Sequence, residues 1–395
     1  MEKIKILRII ARLNIGGPAI HTILLTAELD KNKFDSLLVY GKESKDEGNM
    51  LYYAQEKGIK AYLVPELTRE LNLVNDLCAF FKILKLIQKE KPFIIHTHTA
   101  KAGTLGRSAG ILYNFLHPFR KRKIKLVHTF HGHIFSGYFN KFTTNFFISI
   151  ERILGFFSAE IITVSESVKK ELLMYDIAGL NKIQVIPLGF ELNKFLSIPL
   201  AQRTPSNIGI IGRLVPIKNH RLFLEAAAKV IHDDPEIKLK FKIIGDGELR
   251  SELEGYSAKL NITNHVIFMG WQKDLSAVYS DLDIVVLTSL NEGTPVSLIE
   301  AMASGRVVVA TDVGGIRDLL GQTIKSEPNE DFETLERGLI IKSGDYFGLA
   351  NAVKLLLHNP QLRKDLALKS RDFVKNNFTK ERLIKDIENL YSAIK

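Results

Sequence analysis

Residues 284–310 read Ile284-Val285-Val286-Leu287-Thr288-Ser289-Leu290-Asn291-Glu292-Gly293-Thr294-Pro295-Val296-Ser297-Leu298-Ile299-Glu300-Ala301-Met302-Ala303-Ser304-Gly305-Arg306-Val307-Val308-Val309-Ala310. Two short β-rich runs, Ile284–Leu287 and Val307–Ala310, flank a helical stretch, Pro295–Ala303. A strand, a helix and a second strand in close succession form a right-handed βαβ unit with parallel strands. The same alternation extends in both directions. Downstream of residue 207 it runs through Ile208–Ile211, Lys240–Ile244, Val266–Met269 and Gly338–Ile341, with a helix over Arg221–Ile231. Upstream it runs through Ile4–Ile10, Phe34–Tyr40, Ala61–Val64, Phe93–His96, Lys125–Thr129, Glu160–Val164 and Ile183–Ile186. Between these lie helices such as Asn75–Lys89, whose Leu77, Phe80, Phe81, Leu84 and Ile87 recur at three- and four-residue spacing and predict one apolar face. The pattern lapses between Glu191 and Asn207, where Pro199, Pro205 and a polar cluster suit a linker. The expected architecture is α/β: two Rossmann-like, doubly wound domains facing a central cleft, over residues 1–195 and 206–375, followed by a helical end.

Composition agrees with this class. The 395 residues are 46% hydrophobic and 25% charged, which excludes a disordered or fibrous chain. A single cysteine, Cys78, excludes an internal disulfide framework. The opening Met1-Glu2-Lys3-Ile4-Lys5-Ile6 reads as a charged strand and not as a signal peptide. The most apolar stretch, Phe142 to Val164, is interrupted by Glu151, Arg152 and Glu160, so no run approaches the roughly 20 residues of a membrane span. These features predict a soluble, cytoplasmic protein. The net charge of +10 lies wholly in residues 1–200, which hold 28 Lys+Arg against 18 Asp+Glu; residues 201–395 hold 26 of each. Such a half suits nucleic acid, an anionic membrane or an acidic substrate.

In doubly wound sheets ligands bind at the carboxyl ends of strands, where helix N-termini present backbone N–H groups. Each turn at such an end is therefore a candidate. Asn14-Ile15-Gly16-Gly17-Pro18 precedes a helix over Ala19–Leu29, and its paired glycines allow close backbone approach to a diphosphate or a sugar, or simply form a tight turn. His96 and His98 share a strand face, Lys101 follows at the sheet edge, and His128, His131 and His133 close the next strand. The histidines invite a metal reading, but neither their spacing nor a nearby acid matches a known zinc pattern. A hydrogen-bonded role inside the strand is the simpler reading for His96 and His128, which leaves His131, beside Gly132, as the chemical group. Arg213 and Lys218 in Gly212-Arg213-Leu214-Val215-Pro216-Ile217-Lys218-Asn219 are able to reach one diphosphate, or are two solvated cations. Gly245-Asp246-Gly247 is another strand-exit turn. Glu292 stands before the helix, Gly293 and Thr294 leave N–H groups at its start, and Glu300 sits inside it among Ile299, Ala301, Met302 and Ala303. A carboxylate in so apolar a helix needs a partner.

Glu292-x7-Glu300, together with Gly212-Arg213 and Lys218-Asn219, resembles the motifs of the retaining glycosyltransferases of family 4, which have the GT-B fold. Gly16-Gly17, His131-Gly132, Val164-Ser165-Glu166-Ser167 and Thr311-Asp312-Val313-Gly314-Gly315 match that family in type and order. The resemblance implies a nucleotide-sugar donor on the second domain, an acceptor on the first, and a chain end, residues 376–395, crossing back to the first. It implies that Arg213 and Lys218 hold the donor diphosphate, that Glu292 contacts the transferred sugar, that Glu300 holds the ribose, and that His131 lies beside the sugar. Gly16, Gly17, Gly293, Thr294, Pro295 and Val296 complete the donor set, with Lys101 and His133 on the acceptor side. It implies no metal cofactor; the nucleotide sugar, taken as UDP-linked, is a co-substrate.

The resulting expectation is a retaining transferase that moves a hexose or N-acetylhexosamine to a saccharide or polyprenyl-linked acceptor in cell-surface polysaccharide synthesis. No first-domain acid stands out as a nucleophile, so front-face attack is expected. A nucleotide-sugar 2-epimerase on the same fold and a non-catalytic nucleic-acid binder are the alternatives; the second lacks interleaved aromatics or a recognised module, and no nucleic-acid partner is expected. Five cations among residues 120–125, with Phe139, Phe142, Phe146, Ile150, Ile153, Leu154 and Phe157 at helical spacing, predict peripheral docking to an anionic membrane at its cytoplasmic face.

Overall fold

The computed structural model describes residues 3–43, 48–68, 70–132, 141–201, 204–326 and 331–395. The chain forms two compact units, Met1–Phe190 with Lys380–Lys395, and Glu191–Thr379. The first is built on seven strands: β1 (Ile4–Ile10), β2 (Phe34–Gly41), β3 (Ala61–Val64), β4 (Ile94–His98), β5 (Lys125–Phe130), β6 (Glu160–Thr163) and β7 (Ile183–Val185). All pair in parallel, in the order β3-β2-β1-β4-β5-β6-β7. The order reverses between β1 and β4, the switch point at which doubly wound sheets bind ligands.

The second unit carries β8 (Asn207–Ile211), β9 (Lys240–Ile244), β10 (Val266–Gly270), β11 (Ile284–Leu287), β12 (Val307–Thr311), β13 (Thr323–Lys325), β14 (Phe332–Leu335) and β15 (Gly338–Ile341). Their order is β10-β9-β8-β11-β12-β15-β14-β13. The sheet is parallel through β15, and β14 and β13 extend it antiparallel. That extension has no counterpart in the sequence reading, because β13 is a fully exposed three-residue strand with no apolar signature. The Ile284–Ala310 unit forms as read: β11 and β12 pair in register from Ile284 with Val307, and the helix between them is Val296–Ala303 with Pro295 as its N-cap.

Three details depart from the sequence reading. The units divide at Phe190 and not at residue 195, because the short helix Asn193–Leu196 belongs to the second unit, where Phe195 meets the Tyr279 ring at 5.5 Å. The returning segment begins at Lys380 and not at 376; its helix Lys380–Ala393 buries Leu383, Ile387, Leu390 and Tyr391 in the core of the first unit. The helix Leu73–Glu90 buries Ala79, Ile83, Leu84, Leu86 and Ile87, while Leu77 and Phe81 stay exposed.

Two buried polar arrangements tie the first unit together. Arg107 on helix Ala100–Leu116 donates through Nη2 to both carboxylate oxygens of Glu151 on helix Lys141–Phe157, at 2.8 and 2.6 Å, and through Nε to the Gly103 carbonyl. Buried Arg8 donates to His96 Nδ1 at 2.9 Å and to the Tyr391 hydroxyl at 3.0 Å. Since Arg8 is a donor only, His96 Nδ1 accepts, and Nε2–H donates to Thr129 Oγ1 at 2.8 Å.

Candidate active site

In the second unit, β8 delivers the loop 212–219. The backbone of this loop is fixed by Gly212 N–H donating to Ile244 and Leu214 N–H donating to Asp246. Gly245 makes that contact possible: at φ 132° its absent Cβ would lie 2.0 Å from the Gly212 carbonyl oxygen. Lys218 closes a 3-10 turn, Pro216–Lys218, after which Asn219 takes a left-handed conformation and helix His220–Asp233 begins. The Lys218 ammonium meets Glu292 Oε1 at 2.5 Å, and Ser289 Oγ donates to the same oxygen at 2.6 Å. Arg213 is half-buried on the same loop.

Glu292 is held from behind as well. Gly315 N–H donates to its carbonyl oxygen at 3.3 Å, and Gly314, at φ 55°, passes so close that a Cβ would lie 1.8 Å from that oxygen. The Thr311–Gly315 segment thus acts as a backstop for the Glu292 loop. Gly293 and Thr294 are half-buried at the start of helix Val296–Ala303, where unpaired N–H groups accumulate, and Pro295 is buried. The buried Thr294 hydroxyl has no hydrogen-bond partner.

Glu300 does have the partner its setting demands. Tyr279 Oη lies 3.0 Å from Glu300 Oε2 and 2.9 Å from the Ser297 carbonyl oxygen. A phenol has one proton, and the carbonyl is an acceptor only. The Tyr279 hydroxyl therefore donates to one of these two acceptors at a time. Burial pushes the Glu300 carboxyl up to about 7, against the opposing pull of Tyr279 and Lys194. Tyr279, on helix Leu275–Asp281, carried no sequence signal, because its role depends on that helix packing beside helix Val296–Ala303.

In the first unit, Gly16 caps helix Gly17–Glu28, with Gly17 buried. His98 ends β4, and His131 follows β5. His98 Nδ1 and His131 Nε2 are 3.1 Å apart. The turn after His98 is strained, with Thr99, a β-branched residue, at φ 70°. His96 and His98 share a face as read, their rings 4.2 Å apart. His128 bonds Thr97 Oγ1 at 2.8 Å, and His96 is committed to Arg8 and Thr129, so both serve inside the sheet. Burial pushes His131 down to about 3, so it acts as a neutral imidazole. His21, on the first helix, joins His98 and His131; one ring nitrogen from each lies within 4.8 Å of the others. His21 was missed in the sequence because it is remote from both strand ends. Lys101 is not a free cation: it pairs with Asp76 at 2.6 Å and donates to the Glu70 carbonyl. His133 lies outside the described residues.

Two doubly wound units, the second with a Lys–Glu pair before a helix N-terminus, are the two Rossmann-like domains of a GT-B fold. The family description "Glycosyltransferase Family 4" matches residues 15–194, and "Glycosyl transferases group 1" matches residues 205–359. The chain belongs to glycosyltransferase family 4 and is a glycosyltransferase. It is 28% identical over 374 residues to the UDP-Gal:alpha-D-GlcNAc-diphosphoundecaprenol alpha-1,3-galactosyltransferase of Escherichia coli, covering 92% of this chain and 90% of that protein. It is 26% identical to the capsular polysaccharide biosynthesis glycosyltransferase CapM of Staphylococcus aureus, covering 89% and 88%. Its fold matches that of Anabaena Alr3699/HepE, solved in complex with UDP, with a TM-score of 0.79 at 18% identity over 98% of this chain and 100% of that one.

Proposed function

We propose that this enzyme transfers a hexose or N-acetylhexosamine from a UDP-sugar, with retention, to a saccharide or polyprenyl-linked saccharide in cell-surface polysaccharide or glycoconjugate synthesis. The observation that carries this reading is the convergence of Lys218 and Glu292 at 2.5 Å before a helix N-terminus, with Arg213 on the same loop as Lys218. The name of the E. coli relative specifies a UDP-galactose donor and a diphosphoundecaprenol-linked acceptor, which supports the same substrate classes here.

The chemistry follows the charge. The acceptor oxygen bonds to the anomeric carbon as the bond from that carbon to the leaving phosphate oxygen breaks, and the acceptor proton passes to that phosphate on the same face. The departing diphosphate gains negative charge, which Arg213, Lys218 and the N–H groups around Gly293 and Thr294 meet without reorganising. Glu292 accepts from a sugar hydroxyl, ionised Glu300 accepts from the ribose, and neutral His131, whose Nε2 meets His98, offers Nδ1 to the sugar. Gly16, Gly17, Pro295 and Val296 shape the donor's surroundings. The fixed cations take the place of a metal, so no metal cofactor is required, and nucleic acid is no partner.

The test is incubation with UDP-glucose, UDP-galactose or UDP-GlcNAc, with and without a polyprenyl-diphosphate-linked GlcNAc, followed by NMR of the product. Acceptor-dependent UDP release and an α-linked product, both undiminished by EDTA, are expected. A β-linked product overturns retention, epimerised donor without acceptor favours the 2-epimerase reading, and loss of transfer on chelation overturns the metal-free reading.

The enzyme works at the cytoplasmic face of a membrane, as a peripheral protein. No helix among the described residues is long and apolar enough to cross one. Helices Leu73–Glu90 and Lys141–Phe157 expose Leu73, Leu77, Phe81, Phe146, Ile153 and Phe156, whereas Leu154 is buried. Phe139 lies outside the described residues, as does the side chain of Phe142. Within the basic run, Arg120 and Lys123 bond backbone carbonyls of Lys91, Asn114 and His117, while Lys121 and Arg122 are exposed next to Phe119, which is 97% exposed. Exposed cations beside exposed aromatics suit an anionic leaflet.

A further inference from the structure

His21, His98 and His131 come from three different elements of one unit: the helix after β1, the end of β4, and the turn after β5. Because β4 lies between β1 and β5, these three positions are neighbours at the carboxyl edge of the sheet. The His21 ring meets that of His131 at 5.1 Å and that of His98 at 5.5 Å, and the His98 and His131 rings are 5.3 Å apart. Both His21 nitrogens are buried with no hydrogen-bond partner, while His98 Nδ1 faces His131 Nε2 at 3.1 Å. Buried ring nitrogens without partners are rare, and each one asks for a ligand, a water or an ion.

The geometry suits one ligand class. Tetrahedral zinc holds imidazole nitrogens at about 2.0–2.1 Å, which sets two of them about 3.4 Å apart. His98 Nδ1 and His131 Nε2 stand at 3.1 Å, and one ring nitrogen from each of the three histidines lies within 4.8 Å of the others. The His21 ring is tied by no hydrogen bond. Three neutral imidazoles with a fourth position open form a recurring zinc donor set. No carboxylate belongs to the cluster, and Arg8 lies nearby with its guanidinium held by His96, Tyr391 and the Leu25 carbonyl. That positive neighbour weakens a dication, so binding is reversible.

We propose that His21, His98 and His131 form a Zn²⁺ site, and that its occupation withdraws His131 from sugar transfer, making zinc a reversible inhibitor. The inhibitory half rests on the role of His131 proposed above; the binding half does not. Zinc here is no cofactor, so the metal-free enzyme is the active one.

The direct test is titration of the metal-free, full-length enzyme with Co²⁺, followed by displacement with Zn²⁺. One equivalent of Co²⁺ is expected to produce the visible absorption of a tetrahedral site, and Zn²⁺ to abolish it. His21→Asn, outside the transfer machinery, is expected to weaken Co²⁺ and Zn²⁺ binding by more than the roughly 10–100-fold lost with a merely supporting contact. The same variant is expected to keep basal transfer and lose sensitivity to Zn²⁺. A thermal melt checks that it folds, and His98→Gln serves as the second variant. Absence of stoichiometric binding to the wild type, or undiminished binding to both folded variants, overturns the site. Site binding without inhibition overturns the inhibitory role and counts against His131 in transfer, while leaving the donor-site reading to its own test.

Discussion

The two units solve the same problem with opposite chemistry. In the second, a charged pair, Lys218 with Glu292, stands at the loop ends, and the Glu300 carboxyl meets the Tyr279 hydroxyl. In the first, the strand ends present uncharged rings, with burial holding His21, His98 and His131 below the usual imidazole range. Among the ion pairs of that unit, buried Arg107 with Glu151 lies between two helices, and Lys101 pairs with Asp76. A site that must meet a developing diphosphate charge needs fixed cations. A site that handles neutral hydroxyls is served by groups able both to donate and to accept. On the function proposed above, this difference supports placing the donor phosphates on the second unit.

The contrast breaks most visibly at the structural pair. Arg107→Ala leaves Glu151 buried without its partner, and is expected to destabilise the first unit by about 3–5 kcal/mol. A double change of Arg107 and Glu151 to Leu should cost much less. Urea unfolding followed separately in each unit checks both; equal loss in single and double variants would show that the ion pair itself, and not an abandoned charge, matters.

Next in size is the donor site. Arg213→Ala is expected to lower kcat/KM by about 10²–10³-fold, with loss in both kcat and nucleotide affinity, since it touches ground-state and developing charge alike. Glu292→Gln should keep the fold and the nucleotide affinity while losing most of the turnover. Steady-state kinetics and calorimetry with UDP separate the two, and wild-type kcat/KM in either variant would remove that residue from the site.

The charged surface of the first unit gives a smaller effect. Changing Lys121 and Arg122 together to Gln should cost about 2 kcal/mol of binding to anionic vesicles, or roughly 30-fold, at ~1 kcal/mol per cation. Cosedimentation at low salt measures this. Wild type remaining in the supernatant would direct the charge excess to another use.

The smallest effect sharpens the contrast by pH. Folding raises the Glu300 carboxyl to about 7 from the ordinary value near 4.5. Between those values the folded state holds a proton that the unfolded state has released. Stability from this group is therefore full below about 4.5 and falls as pH rises through about 7, by up to about 1.4 kcal/mol per pH unit. Nucleotide binding should run the other way, strengthening as pH rises through about 7, because ribose hydroxyls donate to the ionised form. Glu300→Gln should flatten both profiles, as read by thermal melts and by UDP titration across that range.

Most of the fold was legible because parallel strands buried on both faces are written as short apolar runs: Ile284–Leu287 and Gly338–Ile341 were read to the residue. The candidate donor residues could be singled out because they lie close along the chain, with Arg213 and Lys218 on one loop and Glu292 and Glu300 on one loop and helix. No local spacing announces that Lys101, expected on the acceptor side, pairs with Asp76 on a different helix.

By itself, the sequence determined the alternation of strands and helices, the break between the two units, and which candidate residues of the second unit share one loop or one helix. Local spacing suffices there, since a turn between a strand and a helix places its residues at the sheet edge whatever else the chain does. Only the tertiary structure decided that Tyr279 answers Glu300, that Arg107 answers Glu151, that helix Lys380–Ala393 brings Tyr391 to Arg8, and that His21 completes a trio with His98 and His131. The physical reason is common to all four. Each depends on which faces of separate elements are pressed together, and that is set by the apolar packing of the whole unit, not by the polar residues that come to meet there.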